Sequence, residues 1–413
     1  MGQLVFQATL GGQVNLVGPN TASTYNINVP AVAGTMVTTG DTGSVSSTML
    51  ASSLSLTTPN IGTPSAGTLT NCTGLPAATG LTGVVAQNNG GTGTTTGYYG
   101  FKNRIINGAM AIDQRNAGAS VTPTDGQYTL DRWQANQAVA SKYSVQQNAG
   151  SVTPPAGFTK YLGVTSLSAY TVGASEYFCL RQNIEGFNTA DLAWGTASAS
   201  PVTLSFWVRS SLTGTFGATL MNENSNRSYP FTYTINSANT WEYKTITVNG
   251  DTSGTWATTN GVGLRLTMGM GVGSTYSGAA GAWASANYLS ATGATSVVGT
   301  SGATFYITGV QLEKGTVATS FDYRPYGTEL QLCQRYYQTI GEVFGNGAAA
   351  NSGNSGCFWA FGVQMRATPT ITYTAEFGTV SATYPDPTKC TFSGTSSASN
   401  QFAVLYAKAA AEL

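Results

Sequence analysis

Histidine does not occur in this chain of 413 residues. Its absence removes Ser-His-Asp and Cys-His catalytic arrangements, His-containing zinc sites and the commonest general base near neutral pH. Charge is scarce as well: 8% of the residues are Asp, Glu, Lys or Arg, against about 25% in ordinary globular chains. The 17 cations and 17 anions cancel, which leaves no footprint for nucleic acid or an anionic membrane surface. The five cysteines, Cys72, Cys179, Cys333, Cys357 and Cys390, are scattered, odd in number and never spaced as CxxC. That speaks against a zinc knuckle or redox pair and for free thiols inside strands, made in a reducing cytoplasm. No apolar run approaches the ~18–20 residues of a membrane span, so no membrane insertion is expected. Met1-Gly2-Gln3-Leu4-Val5-Phe6 lacks the basic n-region of a signal peptide.

What is present is glycine, 51 residues of it, with Thr, Ser, Asn and Ala filling much of the rest and 11% aromatics. The mixture is too polar for a membrane protein and too aromatic for ordinary disorder. It suits an all-β protein whose surface is built of hydroxyls and amides.

Residues 1–40 read as short strands broken by Gly-Gly and Gly-Pro turns; Tyr25, Ile27 and Val29 alternate with Thr24, Asn26 and Asn28. From 41 to 97 the text is Thr/Gly/Ser-rich, with aliphatics such as Leu54, Leu56, Ile61, Leu69 and Leu75 arriving singly between turns. One chain cannot bury a core from such spacing. Two solutions stay open: a disordered linker, or intertwining with identical chains so that single hydrophobes meet on an axis.

From residue 98 the strand patterns lengthen. Val202, Leu204, Phe206 and Val208 alternate with Thr203, Ser205, Trp207 and Arg209; Val262, Leu264, Leu266 and Met268 form a second inward row, and Phe178, Leu180 and Ile184 a third. In Phe305–Leu312 the apolar set slips by one across Gly309, which predicts a bulge keeping Phe305, Ile307, Val310 and Leu312 on one side. Many strands between Gly/Ser/Asn turns indicate a β-sandwich or jelly roll over 98–326. After it, Glu329–Tyr337 is the best helical segment. Cys357–Met365, Thr370–Phe377 and Gln401–Lys408 read as strands of a small C-terminal β domain, 327–413.

Two blocks carry a resemblance. Asn103-Arg104-Ile105-Ile106-Asn107-Gly108-Ala109-Met110-Ala111-Ile112-Asp113-Gln114-Arg115, then Tyr128-Thr129-Leu130-Asp131-Arg132-Trp133, resembles the opening of a domain of bacteriophage tail fibre proteins. Gly309-Val310-Gln311-Leu312-Glu313-Lys314-Gly315, then Ala318–Pro325, resembles its end, and Leu330–Tyr337 and Met365–Thr370 its sequel. The Gly-Thr-Leu-Thr-Asn and Gly-Gly-Thr-Gly phrases of 62–93 are similar to the shaft repeats of such fibres. The resemblance implies a homotrimer in the virion tail, with 1–40 docking to a tail or baseplate protein and 41–97 winding a shaft. A carbohydrate-binding-like jelly roll would face host surface polysaccharide. Neither cofactor nor metal is expected.

For glycan contact the best local candidates are Tyr276, Trp283 and Tyr288, which punctuate the uncharged Gly/Ala/Ser stretch 269–299; aromatic faces stack on pyranose rings, though a neighbouring subunit is an equal claimant. Trp133, Trp207 and Trp241 sit in or beside strands and read as core or interface. Asp131, Arg132, Asp322 and Arg324 read as structural hydrogen-bonders, and Asn222–Arg227 as a solvated hairpin tip. Glu176, Glu185 and Asp191 are the few carboxylates near one another in sequence, too little to assign glycoside hydrolysis. The expectation is adhesion without catalysis, with a non-adhesive tail adaptor or decoration protein as the alternative and a polysaccharide depolymerase third. If the shaft is intertwined, sedimentation of the full chain gives the mass of three copies; a monomer at micromolar concentration removes the shaft.

Overall fold

The computed structural model describes residues 101–346, 355–395 and 401–413. The expected docking segment 1–40, the shaft 41–97 with Cys72, and the trimer they would build lie outside the described residues.

Strands β1 (Tyr128–Leu130), β2 (Trp133–Gln137), β3 (Tyr143–Gln147), β4 (Leu162–Ser166), β5 (Tyr177–Glu185), β6 (Val202–Ser210) and β7 (Gly214–Met221) open the fold. They are followed by β8 (Ser228–Ile235), β9 (Glu242–Val248), β10 (Val262–Val272), the short β11 (Ser277–Gly278) and β12 (Ser290–Ala291), and β13 (Thr304–Lys314). One sheet runs β1-β2-β5-β10-β7-β8 and the other β3-β4-β13-β6-β9. The chain passes between the sheets at β2 to β3, β4 to β5, β5 to β6, β6 to β7, β8 to β9 and β9 to β10, and once more on its way from β10 to β13. It is a jelly-roll β-sandwich, as the alternating rows predict.

Period-two patterning fixes which face is dry. Phe178, Leu180 and Ile184 of β5, Leu204, Phe206 and Val208 of β6, and Leu264, Leu266 and Met268 of β10 share one core with Trp133, Phe216 and Tyr233. Each large side chain buried there contributes roughly 1.5–3 kcal/mol of apolar transfer. The β13–β6 register breaks between Thr308 and Gln311, and Gly309 takes a left-handed φ of 61°. Phe305, Ile307, Val310 and Leu312 all enter the core, so the bulge sits where the sequence places it. A Cβ on Gly309 would also lie 2.6 Å from the Phe158 ring.

The two sequence blocks at either end of the sandwich, 103–133 and 309–325, meet in space. The Asn103 side chain donates to the Val310 carbonyl (3.0 Å) and accepts from the Leu312 amide (3.0 Å). Glu313 accepts from the Thr319 amide (2.8 Å) and hydroxyl (2.6 Å), and Gln311 from the Asp322 amide (2.8 Å). Arg324 donates to the carbonyls of Asn103 and Ile105 and pairs with Glu329 at 3.2 Å. Asp131 accepts both the backbone and side-chain amides of Gln114 at 2.7 Å. These polar residues are structural, as expected of Asp131, Arg132, Asp322 and Arg324.

Beyond the sandwich, α1 (Tyr326–Gln334) leads into β14 (Tyr337–Ile340), β15 (Val343–Asn346), β16 (Ser355–Ala360), β17 (Thr370–Phe377), β18 (Thr379–Asp386), β19 (Lys389–Thr395) and β20 (Gln401–Ala410). Strand β20 is central, with β17 along one edge and β14 and β15 along the other; β16-β19-β18 form a second sheet. Two sequence expectations move here. The helix starts at Tyr326, where the Pro325 carbonyl accepts the Glu329 amide, and stops before Tyr337, which pairs with Ala410 instead. The strand expected over Cys357–Met365 ends at Ala360; the chain then turns, and Met365 enters the small core of Trp359, Cys390, Phe392, Phe402 and Val404.

The end of the chain returns to the sandwich through a charged latch. Arg132, 1% exposed, ion-pairs with Glu412 while its guanidinium lies 3.6 Å from the centroid of Tyr336. Arg115 holds the other Glu412 oxygen and stacks 3.8 Å over Tyr337. Alongside, Glu185 accepts from Arg335 (2.7 and 3.0 Å) and from the Tyr336 hydroxyl (2.7 Å). Burial alone would raise the Glu185 carboxyl, but these donors prevail and hold it below its ordinary value. Because removing one member of a buried pair strands the other charge, Glu412→Ala is expected to cost about 3–5 kcal/mol, read as a shift in the denaturant midpoint. A change under 1 kcal/mol would show that the latch is incidental.

Candidate functional site

The outward face of the six-stranded sheet carries a row of polar side chains set on paired strands. With Leu180, Gln182 and Ile184 of β5 turned inward, Tyr177, Cys179, Arg181 and Asn183 point out. Register sets Gln134 of β2 and Thr267 of β10 on either side of Arg181, and Arg265 of β10 beside Asn183. Arg181 donates through Nε to Thr267 Oγ1 (3.3 Å), and Arg265 through Nε to Asn183 Oδ1 (3.2 Å). Asn183 in turn donates to the Leu413 backbone oxygen (2.9 Å) and to the Tyr128 hydroxyl (3.1 Å). Asn136 stands across from Cys179. It is 8% exposed, yet its side-chain oxygen has no protein partner, an arrangement that asks for a buried water.

The segment between β10 and β13 folds over the rest of this face. Its neck closes where β11 pairs in parallel with β12, and β12 crosses the sheet at two glycines. A Cβ on Gly217 would meet Ser290 Oγ at 2.2 Å and the Ala291 amide nitrogen at 2.8 Å, and one on Gly269 would meet Ser290 Oγ at 2.9 Å. Beside this crossing, Leu289 and Tyr276 cover Cys179 and Met221. Burial there pushes the Cys179 thiol up to about 12. Gln134, Tyr177, Arg181, Arg265 and Tyr276 stay half-buried, and together they make a trough with an amide-and-guanidinium floor and an aromatic wall.

Of the three aromatics singled out in the sequence, Tyr276 supplies that wall, edge-on to Tyr177 at 5.5 Å and 90°. Trp283 goes elsewhere: it packs against Trp194, Trp256 and Tyr229 at 5.3–5.4 Å and donates to the Asn249 carbonyl at 2.8 Å, anchoring the loop. The Tyr288 ring lies against Gly278, where a Cβ would come within 2.2 Å. No ring contact joins the three. Tyr177, Arg181, Arg265, Gln134 and Asn136 were not singled out beforehand. The outward alternation of Arg181 and Asn183 was a readable signal, but the pairing of β5 with β2 and β10 was not.

Other features are already occupied by structural contacts. A cleft of about 160 Å³ is lined by Phe158, Phe321, Tyr323, Asp322, Arg324 and Tyr326, but its arginine and carboxylates serve the contacts between the two sequence blocks. Trp133 is core; Trp241 packs on Tyr161 and donates to the Thr153 carbonyl. Trp207 faces Tyr243 across strands on the other sheet, at 5.3 Å. Asn222–Arg227 is the β7–β8 hairpin tip, tied by the Asn222 side chain and by Arg227 on Asp251. Glu176 accepts from Tyr170 and Gly173, Glu185 belongs to the latch, and Asp191 pairs with Arg104 and Lys314. Among the described residues, no group of three His, Cys, Asp or Glu is placed to hold a metal ion.

No family model and no curated protein matches the chain. Solved structures with a partial likeness to the chain include a CBM4 carbohydrate-binding module, 14% identical over 51% of this chain and 99% of that one, TM-score 0.29. A family 11 carbohydrate-binding module of Clostridium thermocellum, in complex with a mixed-linked tetrasaccharide, is 12% identical over 48% and 98%, TM-score 0.25. The enzymatically active domain of bacteriophage CBA120 tailspike protein 4 is 11% identical over 52% of this chain, TM-score 0.28, and the match spans 22% of that protein. No residue role is carried across at such identities, and the sandwich is read from its own sheets.

The covering loop makes one measurable demand. Cys179 in the folded protein is expected to resist thiol reagents at pH 8, and Leu289→Gly, which thins its cover, to speed its labelling at least tenfold. Equal rates would mean that the loop does not seal this face.

Proposed function

We propose that this chain is a structural, adhesive subunit of a bacteriophage tail fibre whose jelly roll binds host-surface polysaccharide without chemistry. The observation that carries the glycan reading is the trough: Tyr177, Gln134, Arg181 and Arg265 share one sheet face, and Tyr276, from the loop after β10, stands edge-on to Tyr177. A pyranose needs an aromatic surface for its apolar side and amide or guanidinium donors for its hydroxyls. A site on strands holds that geometry better than one on loops. The tail assignment rests on the sequence blocks that resemble fibre proteins, and it places the chain in the virion tail, made in the host cytoplasm. A trimer with several weak sites would gain avidity by orders of magnitude without tight single-site binding. The absence of histidine, and the structural duties of Glu176, Glu185 and Asp191, support adhesion over hydrolysis.

The full chain is expected to bind purified envelope polysaccharide of a sensitive host, and Tyr177→Ala or Tyr276→Ala to weaken binding at least tenfold with little change in melting temperature. No binding would favour a non-adhesive adaptor. Release of oligosaccharides would point to a depolymerase instead.

A further inference from the structure

Arginine in this protein is mostly neutralised. Arg104, Arg115, Arg132, Arg227, Arg324 and Arg335 each form an ion pair with a carboxylate. Arg366 uses its guanidinium on the carbonyls of Asn260, Ala411 and Glu412, and Arg209 donates to the Asn239 carbonyl and lies over Tyr306. Arg181 and Arg265, like Arg209 and Arg366, have no carboxylate within ion-pair distance among the described residues, but these two lie side by side on the trough floor.

Register explains their proximity. Arg181 stands opposite Thr267 and Arg265 opposite Asn183, which makes the two arginines diagonal neighbours on one face, about 7–8 Å apart at the backbone. Like charges so placed repel. Burial, and then the Arg181 charge, hold the Arg265 guanidinium below its ordinary value. The nearby carboxylates relieve this only from outside. Glu223 is exposed at the hairpin tip, and Asp125 is exposed beside Tyr177, its carboxylate accepting from the Gln137 amide. Arg265 spends Nη1 on the Glu223 carbonyl (2.6 Å) and Ser225 Oγ (3.1 Å). Among the described residues the only side-chain hydrogen bond of Arg181 is the 3.3 Å one from Nε to Thr267, which leaves its Nη groups for a ligand.

We propose that the trough selects an acidic glycan, its anionic substituent bridging Arg181 and Arg265 while Tyr177 and Tyr276 contact the sugar ring. Bidentate geometry makes guanidinium the suitable partner for a carboxylate or phosphate, and an anion here replaces repulsion by attraction. The inference rests on the glycan-binding reading of the same site and adds the chemical class. The substituent is a uronate carboxylate or a phosphate ester, which share this chemistry.

The test is an array of bacterial envelope polysaccharides printed with their carboxyl-reduced and dephosphorylated counterparts, probed with the full chain in 50 and 500 mM NaCl. Acidic members are expected to bind at least tenfold better than their neutralised counterparts and to lose most of that advantage in high salt. Loss on carboxyl reduction identifies a uronate; loss on dephosphorylation identifies a phosphate. Arg181→Gln should abolish the preference, whereas Lys389→Gln, which removes an equal charge from a distant hairpin, should not. Because Arg265→Gln also frees the hairpin tip, Arg181→Gln is the deciding variant. Binding that is equal for neutral and acidic members, or a preference that survives Arg181→Gln, overturns this inference and leaves glycan binding standing. Binding to no member overturns both.

Discussion

A guanidinium taken out of water costs several kcal/mol unless its charge is met in place, and Arg132 is almost wholly enclosed. Its companions, Glu412 and the Tyr336 ring, come from the far end of the chain. The sandwich edge at β1 and β2 is therefore satisfied only when the last residues have returned to it. Glu185 is in the same position, since Arg335 and Tyr336 reach it from beyond α1. The two β units are thus joined by compensation of buried charge as much as by apolar packing. A small cluster of Ile106, Ile112, Cys333 and Tyr336 lies beside these contacts.

That arrangement bears on the trough. Asn183, which orients Arg265, is itself held by the Leu413 oxygen and the Tyr128 hydroxyl, both neighbours of the latch. The polar floor is braced from one side by the C-terminal unit and from the other by the loop that carries Tyr276. In an 8%-charged protein, Arg181 and Arg265 stand out by their adjacency: two cations on one sheet face, neither in an ion pair among the described residues. Salt would otherwise have little to screen on so sparsely charged a surface.

Much of this was legible in the residues. Alternation named the inward rows of β5, β6 and β10. Gly309 announced its bulge because the apolar set slips by one there. The limits of α1 were harder: Tyr337 has helical neighbours, and only its pairing with Ala410, more than seventy residues away, makes it a strand. The site was half visible. Tyr276, Trp283 and Tyr288 look alike in a Gly/Ala/Ser stretch, and what separates them is which strand each meets after the loop has folded. Arg181 and Arg265 read as two ordinary outward residues until the β5–β10 register makes them neighbours. Sequence reports period; it does not report which strands pair.

The β11–β12 neck has a separate meaning. Two residues on each side clasp the base of the excursion, and the glycines beneath seat it on the sheet, so residues 279–289 hang from a closed ring. Closing such a ring grows more costly only with the logarithm of its length, about 0.6 kcal/mol per doubling. The tip of this excursion can therefore vary in length at little cost to the sandwich beneath, provided that Trp283 keeps its anchor and Leu289 its place over Cys179.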